Sequence, residues 1–274
     1  MATTTLLAGD MGGTKTLLAL YGSDAGQLHL LHQERFRSGE WSSLEPMLEA
    51  FLNNRPADLP APTHACIAVA GPVRQSEARI TNLPWRLREA DLAKAAGTER
   101  LELVNDFGVL IYGLPHFDGN QQVILQKGHQ DKGPVAILGA GTGLGMARGL
   151  QSEQGLVALA SEGGHREFAP RNESEWELAC WLKQDLGISR LSIERIVSGT
   201  GLGHVAHWLL QKPDATLHPL RSVAEAWRRN SSNDLPAQVS VAAEGGDPLM
   251  QRALQLWLEA LSLIHISEPT RPLY

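Results

Sequence analysis

Val104-Asn105-Asp106-Phe107 puts a carboxylate beside an amide at the end of a short apolar run. A carboxylate delivered there can be aimed at a hydroxyl as a general base, with the amide steadying it. An Asn-Asp pair is just as often an ordinary turn or helix cap, so its surroundings must decide. Ser161-Glu162-Gly163-Gly164-His165 carries two glycines that let the backbone bend until Glu162 and His165 face one point, and Glu194 lies in Ile193-Glu194-Arg195-Ile196-Val197-Ser198-Gly199-Thr200-Gly201. Glu-x-x-His on a helix would suit a metal, but the glycines oppose a helix and no third ligand cluster lies nearby. Taken singly, His165 reads as structural or exposed and Glu194 as a solvated helix residue. Taken together, these side chains suit a ligand with several hydroxyls, one of which loses its proton.

Two glycine clusters suit an anion. In Gly9-Asp10-Met11-Gly12-Gly13-Thr14, residues without Cβ tolerate positive φ and let successive N–H groups converge on a phosphate. Asp10 can orient a Mg²⁺ ion through its water shell, and Thr14 or Lys15 can add donors. In isolation the same segment is equally a hairpin turn. The second cluster, Gly139-Ala140-Gly141-Thr142-Gly143-Leu144-Gly145, holds more glycine than a tight turn needs. It lacks the Gly-Lys-Ser/Thr ending of a P-loop and the spaced acidic residue of a dinucleotide site. Two such loops point to an anion clamped between two domains.

The elements that must position these residues follow from apolar periodicity. Residues 6–9, 16–21 and 28–36 read as strands of an antiparallel meander, 44–52 as a helix, 65–70 as a buried strand and 89–96 as a helix. A short strand over 101–104 delivers Asn105 and Asp106 at its carboxyl end, where open α/β sheets place their chemistry. A strand over 135–138, the glycine loop and a strand from Met146 repeat the first device, and helices follow over 173–186, 223–229 and 251–260. The fold class is α/β in two successive domains, residues 1–111 with the first glycine loop and the base and 112–260 with the second loop, separated where Gly, Pro, Gln and charged residues break the pattern at 112–132.

A formal net charge of -6 gives no basic field for nucleic acid. Cys66 and Cys180 are too few for a disulfide framework and lie in apolar stretches, which predicts two buried, reduced thiols. No apolar run is long enough to span a membrane and no leader pattern follows Met1, so the expected location is cytoplasmic. Oligomeric state is not readable, and a homodimer stays open.

The segments above, with Ile80-Thr81-Asn82-Leu83-Pro84-Trp85 and Ser198-Gly199-Thr200-Gly201-Leu202, resemble in order the bacterial glucokinase family of actin-like (ribonuclease H-like) ATPase-fold sugar kinases. The resemblance implies ATP-dependent phosphorylation of the C6 hydroxyl of glucose, the opening step of glycolysis, with ATP and Mg²⁺. It implies Asp106 as general base and Asn105, Glu162, His165 and Glu194 as partners of the other hydroxyls. It also implies that Gly9 to Thr14 and Gly141, Thr142 and Gly143 hold ATP phosphates, with Asp10 on Mg²⁺. The cysteine-rich zinc motif of the related repressor and sugar-kinase group is absent, which favours the zinc-free branch. A sugar-responsive repressor would need an N-terminal helix-turn-helix before the first loop, and a chaperone-type ATPase would have no use for Glu162, His165 and Glu194. A kinase for another hexose remains an alternative.

Residues 261–271 have no counterpart in that family and match, codon for codon, the translation of a transposase sequencing adapter. Residues 261–274 are therefore expected to be non-native and the family's last, adenosine-embracing region missing. On that reading ATP affinity and stability fall and an apolar face is exposed near Trp257, leaving a catalytically impaired sugar-binding fragment as the alternative. A melting curve and an ATP saturation curve like those of a longer relative would contradict it.

Overall fold

In β1 (Thr4–Met11) Thr5, Leu7 and Met11 are buried while Thr4 and Asp10 face out, the period of a strand with one covered face. β2 (Lys15–Asp24) buries Thr16, Leu18 and Leu20 in the same manner and pairs antiparallel with β1, and β3 (Gln27–Arg37) pairs antiparallel with β2. The expected meander is present. The computed structural model describes residues 4–24, 27–80, 83–117, 119–127, 133–153, 155–230 and 234–267. Thr81, Asn82 and residues 268–274 lie outside them. The chain forms two units, residues 1–125 and 126–274.

In the first unit the meander continues through β4 (His64–Val69) and a further strand, Arg100–Asn105, both parallel to β1, in the order β3-β2-β1-β4-(Arg100–Asn105). Helix α1 (Leu44–Asn54) presents Leu44, Met47, Leu48, Phe51 and Leu52, spaced i, i+3, i+4, i+7 and i+8, to the sheet's apolar face. Each such fully buried side chain contributes about 1.5–3 kcal/mol. Helix α2 (Glu89–Ala96) packs on α1 and ends at Gly97, whose φ of 61° is the left-handed conformation that terminates helices. Three short strands, β5 (Val73–Arg74), β6 (Glu77–Arg79) and β7 (Arg86–Arg88), form a separate sheet before α2, which makes Arg100–Asn105 strand β8. Alternation turns Cys66 away from the core, and both cysteines are exposed, contrary to expectation.

The second unit opens with a second antiparallel meander, β9 (Val135–Ala140), β10 (Leu144–Ser152) and β11 (Gly155–Ser161). Five helices follow: α4 (Glu173–Leu186), α5 (Gly199–Leu210), α6 (Arg221–Asn230), α7 (Leu235–Glu244) and α8 (Pro248–Ser267), with α3 in the first unit over Asp106–Gly113. Every residue of α5 from Gly201 on is buried, and α4, α6, α7 and α8 pack around it. Two of its glycines permit this packing: a Cβ on Gly201 would meet the Ile196 carbonyl oxygen at 2.2 Å, and one on Gly203 the Trp227 ring at 2.7 Å. α8 runs past residue 260 through Ser267, with Leu261 against the core. Trp257 is half-buried and its indole N–H donates to the Ser198 carbonyl at 2.9 Å, while Leu258 beside it is exposed. Among the described residues no helix is long and apolar enough to cross a membrane.

His204 and His207 lie buried on α5. His204 Nδ1 meets the Arg195 carbonyl at 2.9 Å, while His207 Nδ1 has no partner among the described residues. Burial holds both imidazoles below their ordinary value. The unfolded chain therefore takes up protons at a higher pH than the folded one, so this contribution to stability is whole above about pH 6.5 and is lost as pH falls below it. The urea midpoint should drop between about pH 7.5 and 5.5, with a shallower drop in His207→Phe. Identical slopes for the two chains would remove His207 as a cause.

Candidate active site

The first glycine turn is the tip of the β1–β2 hairpin. Gly9 lies within β1, where a Cβ would stand 3.1 Å from the side chains of Ile67 and Leu18, and the Met11 side chain is fully buried. For phosphate these two positions offer only backbone, and the tip proper is Gly12, Gly13 and Thr14. Gly12 N–H closes it on the Lys15 carbonyl at 2.9 Å. A residue that the sequence did not single out holds it: the fully buried Ser38 donates its hydroxyl to the Gly12 carbonyl at 2.8 Å, and its N–H donates to the Thr14 carbonyl at 3.1 Å. A serine hydroxyl has one proton, so Thr16 Oγ1, 3.0 Å away, is the donor to Ser38 Oγ. Because a trans peptide points its N–H opposite to its C=O, tying the Gly12 and Thr14 carbonyls to Ser38 turns the amides of Gly13 and Lys15 the other way. Asp10 is exposed beside this turn. Among the described residues no group of three or more His, Cys, Asp or Glu could hold a metal. One exposed carboxylate beside a glycine turn is compatible with Mg²⁺, which keeps waters and binds through one or two carboxylates plus substrate phosphates.

Asp106 stands at the carboxyl end of β8 and opens α3. Asn105 is the N-cap of that helix: its Oδ1 accepts from Phe107 N at 3.1 Å and Gly108 N at 2.9 Å, while its Nδ2 donates to the Gly71 carbonyl and to Asp106 Oδ1, each at 3.1 Å. The pair is thus a helix cap, and its amide also holds the neighbouring carboxylate. All four hydrogen-bonding positions of Asn105 are engaged within the chain, so a sugar hydroxyl could reach it only by sharing one of them. Asp106 Oδ1 also accepts from Phe107 N at 2.9 Å.

In the second unit Gly141, Thr142 and Gly143 form the tip of the β9–β10 hairpin. The Gly141 carbonyl accepts from Gly199 N at 2.7 Å and the Thr142 carbonyl from Thr200 Oγ1 at 3.1 Å, both at the start of α5. By the same peptide geometry the amides of Thr142 and Gly143 point away from α5. Glu162 and His165 bracket a short 3₁₀ turn, with His165 Nε2 at 3.5 Å from Glu162 Oε2 and both side chains exposed. The glycines between them fit against β10: a Cβ on Gly164 would stand 2.3 Å from the Leu144 carbonyl oxygen. On the amide side of the same residue, Glu194 Oε2 accepts from Leu144 N at 3.0 Å. The Glu194 carboxylate and the turn that carries Glu162 and His165 thus both meet the backbone of Leu144.

Each of the two α/β units thus carries a glycine hairpin between two of its strands, an arrangement compatible with phosphate binding. Fold alone does not fix the function. The glucokinase family model matches residues 7–264. A glucokinase of Nostoc sp. is 39% identical over 267 residues, covering 94% of this chain and 78% of that protein. One of Synechocystis sp. is 37% identical over 271 residues, with 93% and 76% covered. The crystal structure of a glucokinase from an Antarctic psychrotroph matches with a TM-score of 0.75 at 28% identity, over 97% of this chain and 80% of that one. A glucokinase of Balamuthia mandrillaris crystallised with glucose shares the fold at TM-score 0.70 and 20% identity, over 97% and 77%. The chain belongs to the glucokinase family, phosphotransferases with an alcohol as acceptor.

Ser38→Ala leaves the half-buried Gly12 carbonyl and the buried Thr16 hydroxyl without this partner. It should destabilise the chain by about 1–2 kcal/mol in chemical denaturation and raise the KM for ATP more than that for glucose. An unaltered midpoint with unaltered ATP saturation would show that the hydroxyl does not hold the turn.

Proposed function

We propose that the chain transfers the γ-phosphoryl group of ATP to the C6 hydroxyl of glucose, giving ADP and glucose 6-phosphate, with Asp106 as the base. The observation that carries this reading is the placement of Asp106 at a strand end, its carboxylate fixed through Oδ1 by Asn105 Nδ2 and Phe107 N. A base held by two donors is oriented before substrate arrives, which favours the reactive geometry. As the C6 oxygen attacks the γ-phosphorus, its proton passes to the Asp106 carboxylate and the bond to ADP breaks. Asn105 acts through Asp106 as a positioning residue. Glu162, His165 and Glu194 take the remaining hydroxyls: the carboxylates accept, and the imidazole donates or accepts according to its tautomer.

The amides of Gly13, Lys15, Thr142 and Gly143 receive phosphate oxygens, and Asp10 is the residue that would hold Mg²⁺. When bound, Mg²⁺ neutralises charge on the β- and γ-phosphates. Phosphoryl transfer asks little covalent chemistry of the protein beyond this positioning and electrostatic support.

Asp106→Asn keeps the size of the side chain but removes the base. In a coupled kinase assay kcat should fall by about 10²–10⁴-fold, while glucose affinity measured by titration calorimetry changes little. An undiminished rate would take the base role away from Asp106.

A further inference from the structure

We infer that Glu194 is a positioning residue for the second glycine turn, so that one carboxylate braces the nucleotide's phosphate site through the Leu144 amide while it also faces the sugar. This inference rests on the reading of Gly141, Thr142 and Gly143 as a phosphate turn. The turn has three ties to the segment that follows Ile193, and they differ in kind. Two engage carbonyls, Gly141 with Gly199 N and Thr142 with Thr200 Oγ1, and so aim the amides of Thr142 and Gly143. The third engages the amide of Leu144, where the turn passes into β10.

The same Glu194 oxygen closes the space above Gly143, since a Cβ there would stand 2.7 Å from Oε2. One oxygen thus touches two consecutive residues at the trailing end of the turn, and the other remains to meet a hydroxyl. Glu194 follows Ile193, which is buried, and precedes Arg195, whose carbonyl is bonded to the buried His204 on α5. The backbone that carries the carboxylate is therefore anchored on both sides. A carboxylate bonded to a backbone N–H makes a charge-assisted contact, stronger than a neutral one. Removing it frees the end of the turn from which the phosphate amides project.

The test is ATP binding in the presence of Mg²⁺ and the absence of sugar, measured by calorimetry on the full chain. Glu194→Asp keeps the charge but is one methylene short of the Leu144 amide. Glu194→Gln keeps the length and an oxygen acceptor but loses the charge. Bracing predicts that Glu194→Asp loses about tenfold in ATP affinity and Glu194→Gln stays within about two- to threefold, whereas both lose glucose affinity. A pure sugar ligand predicts wild-type ATP affinity in both, and that result overturns the inference. Gly141→Asp separates the two levels of the argument. Nothing stands within 4 Å of a Cβ at that position, so the variant adds a negative charge without a clash. If it binds ATP as well as the unaltered chain does, the phosphate reading itself fails and the bracing role falls with it. If it is impaired while Glu194→Asp is not, only the brace fails. Should Glu194→Asp not fold, hydrogen exchange at the Leu144 amide of the unaltered chain decides, with slowed exchange supporting the brace and exchange at the rate of an open amide overturning it.

Discussion

A peptide group is planar, so its N–H and C=O point in opposite directions, and a turn that is to offer amides to an anion must have its carbonyls held on the far side. At each of the two hairpin tips of this chain two carbonyls are held in this way. At the first tip the holder is Ser38, itself fixed by Thr16 from the neighbouring strand. At the second it is the start of α5, where Gly199 offers a backbone N–H and Thr200 a hydroxyl. The helix start is steadied in turn, because Ser198 caps it by accepting from Gly201 N, and Trp257 of α8 donates to the Ser198 carbonyl. Packing in the helical part of the second unit thereby reaches the geometry of a three-residue turn.

Much of the fold was legible because its signals are local. Residues 89–96 and 173–186 form helices with the expected bounds, since apolar spacing and a glycine in the left-handed conformation mark each end. The meanders were visible from alternation and turn residues, although β11 was not foreseen. α5 escaped notice for a physical reason. Gly199, Gly201 and Gly203 within five residues read as a loop, because glycine disfavours an isolated helix by about 1 kcal/mol relative to alanine. Here Ile196 and Trp227 press so close that nothing larger fits at Gly201 and Gly203, and burial of the whole helix outweighs its poor propensity. α7 and the small sheet of β5, β6 and β7 have weak or short patterns and were likewise missed.

At the candidate site the sequence showed the residues proposed to meet a ligand better than the residues that hold the turns beside them. Asp106, Glu162 and His165 stand out because a carboxylate at a strand end or a histidine between glycines is unusual in itself. Ser38, Thr16 and Thr200 do not, since each acts on a partner remote in the chain: Ser38 on Gly12, 26 residues earlier, and Thr200 on Thr142, 58 residues earlier. Asn105 was legible in both of its roles, but the saturation of its amide was not, because that depends on the Gly71 carbonyl.

The approach of Glu194 Oε2 to Gly143 also constrains how the sequence can change. A side chain at position 143 and a glutamate at position 194 would compete for one volume, since the Cβ would lie 2.7 Å from the carboxylate oxygen. The oxygen is the far end of a flexible side chain, so a side chain at 143 is accommodated when the carboxylate swings aside, and the hold on Leu144 is then lost. Changes at the two sites, 51 positions apart in the chain, act on one contact, and residues in contact are those whose substitutions fail to add.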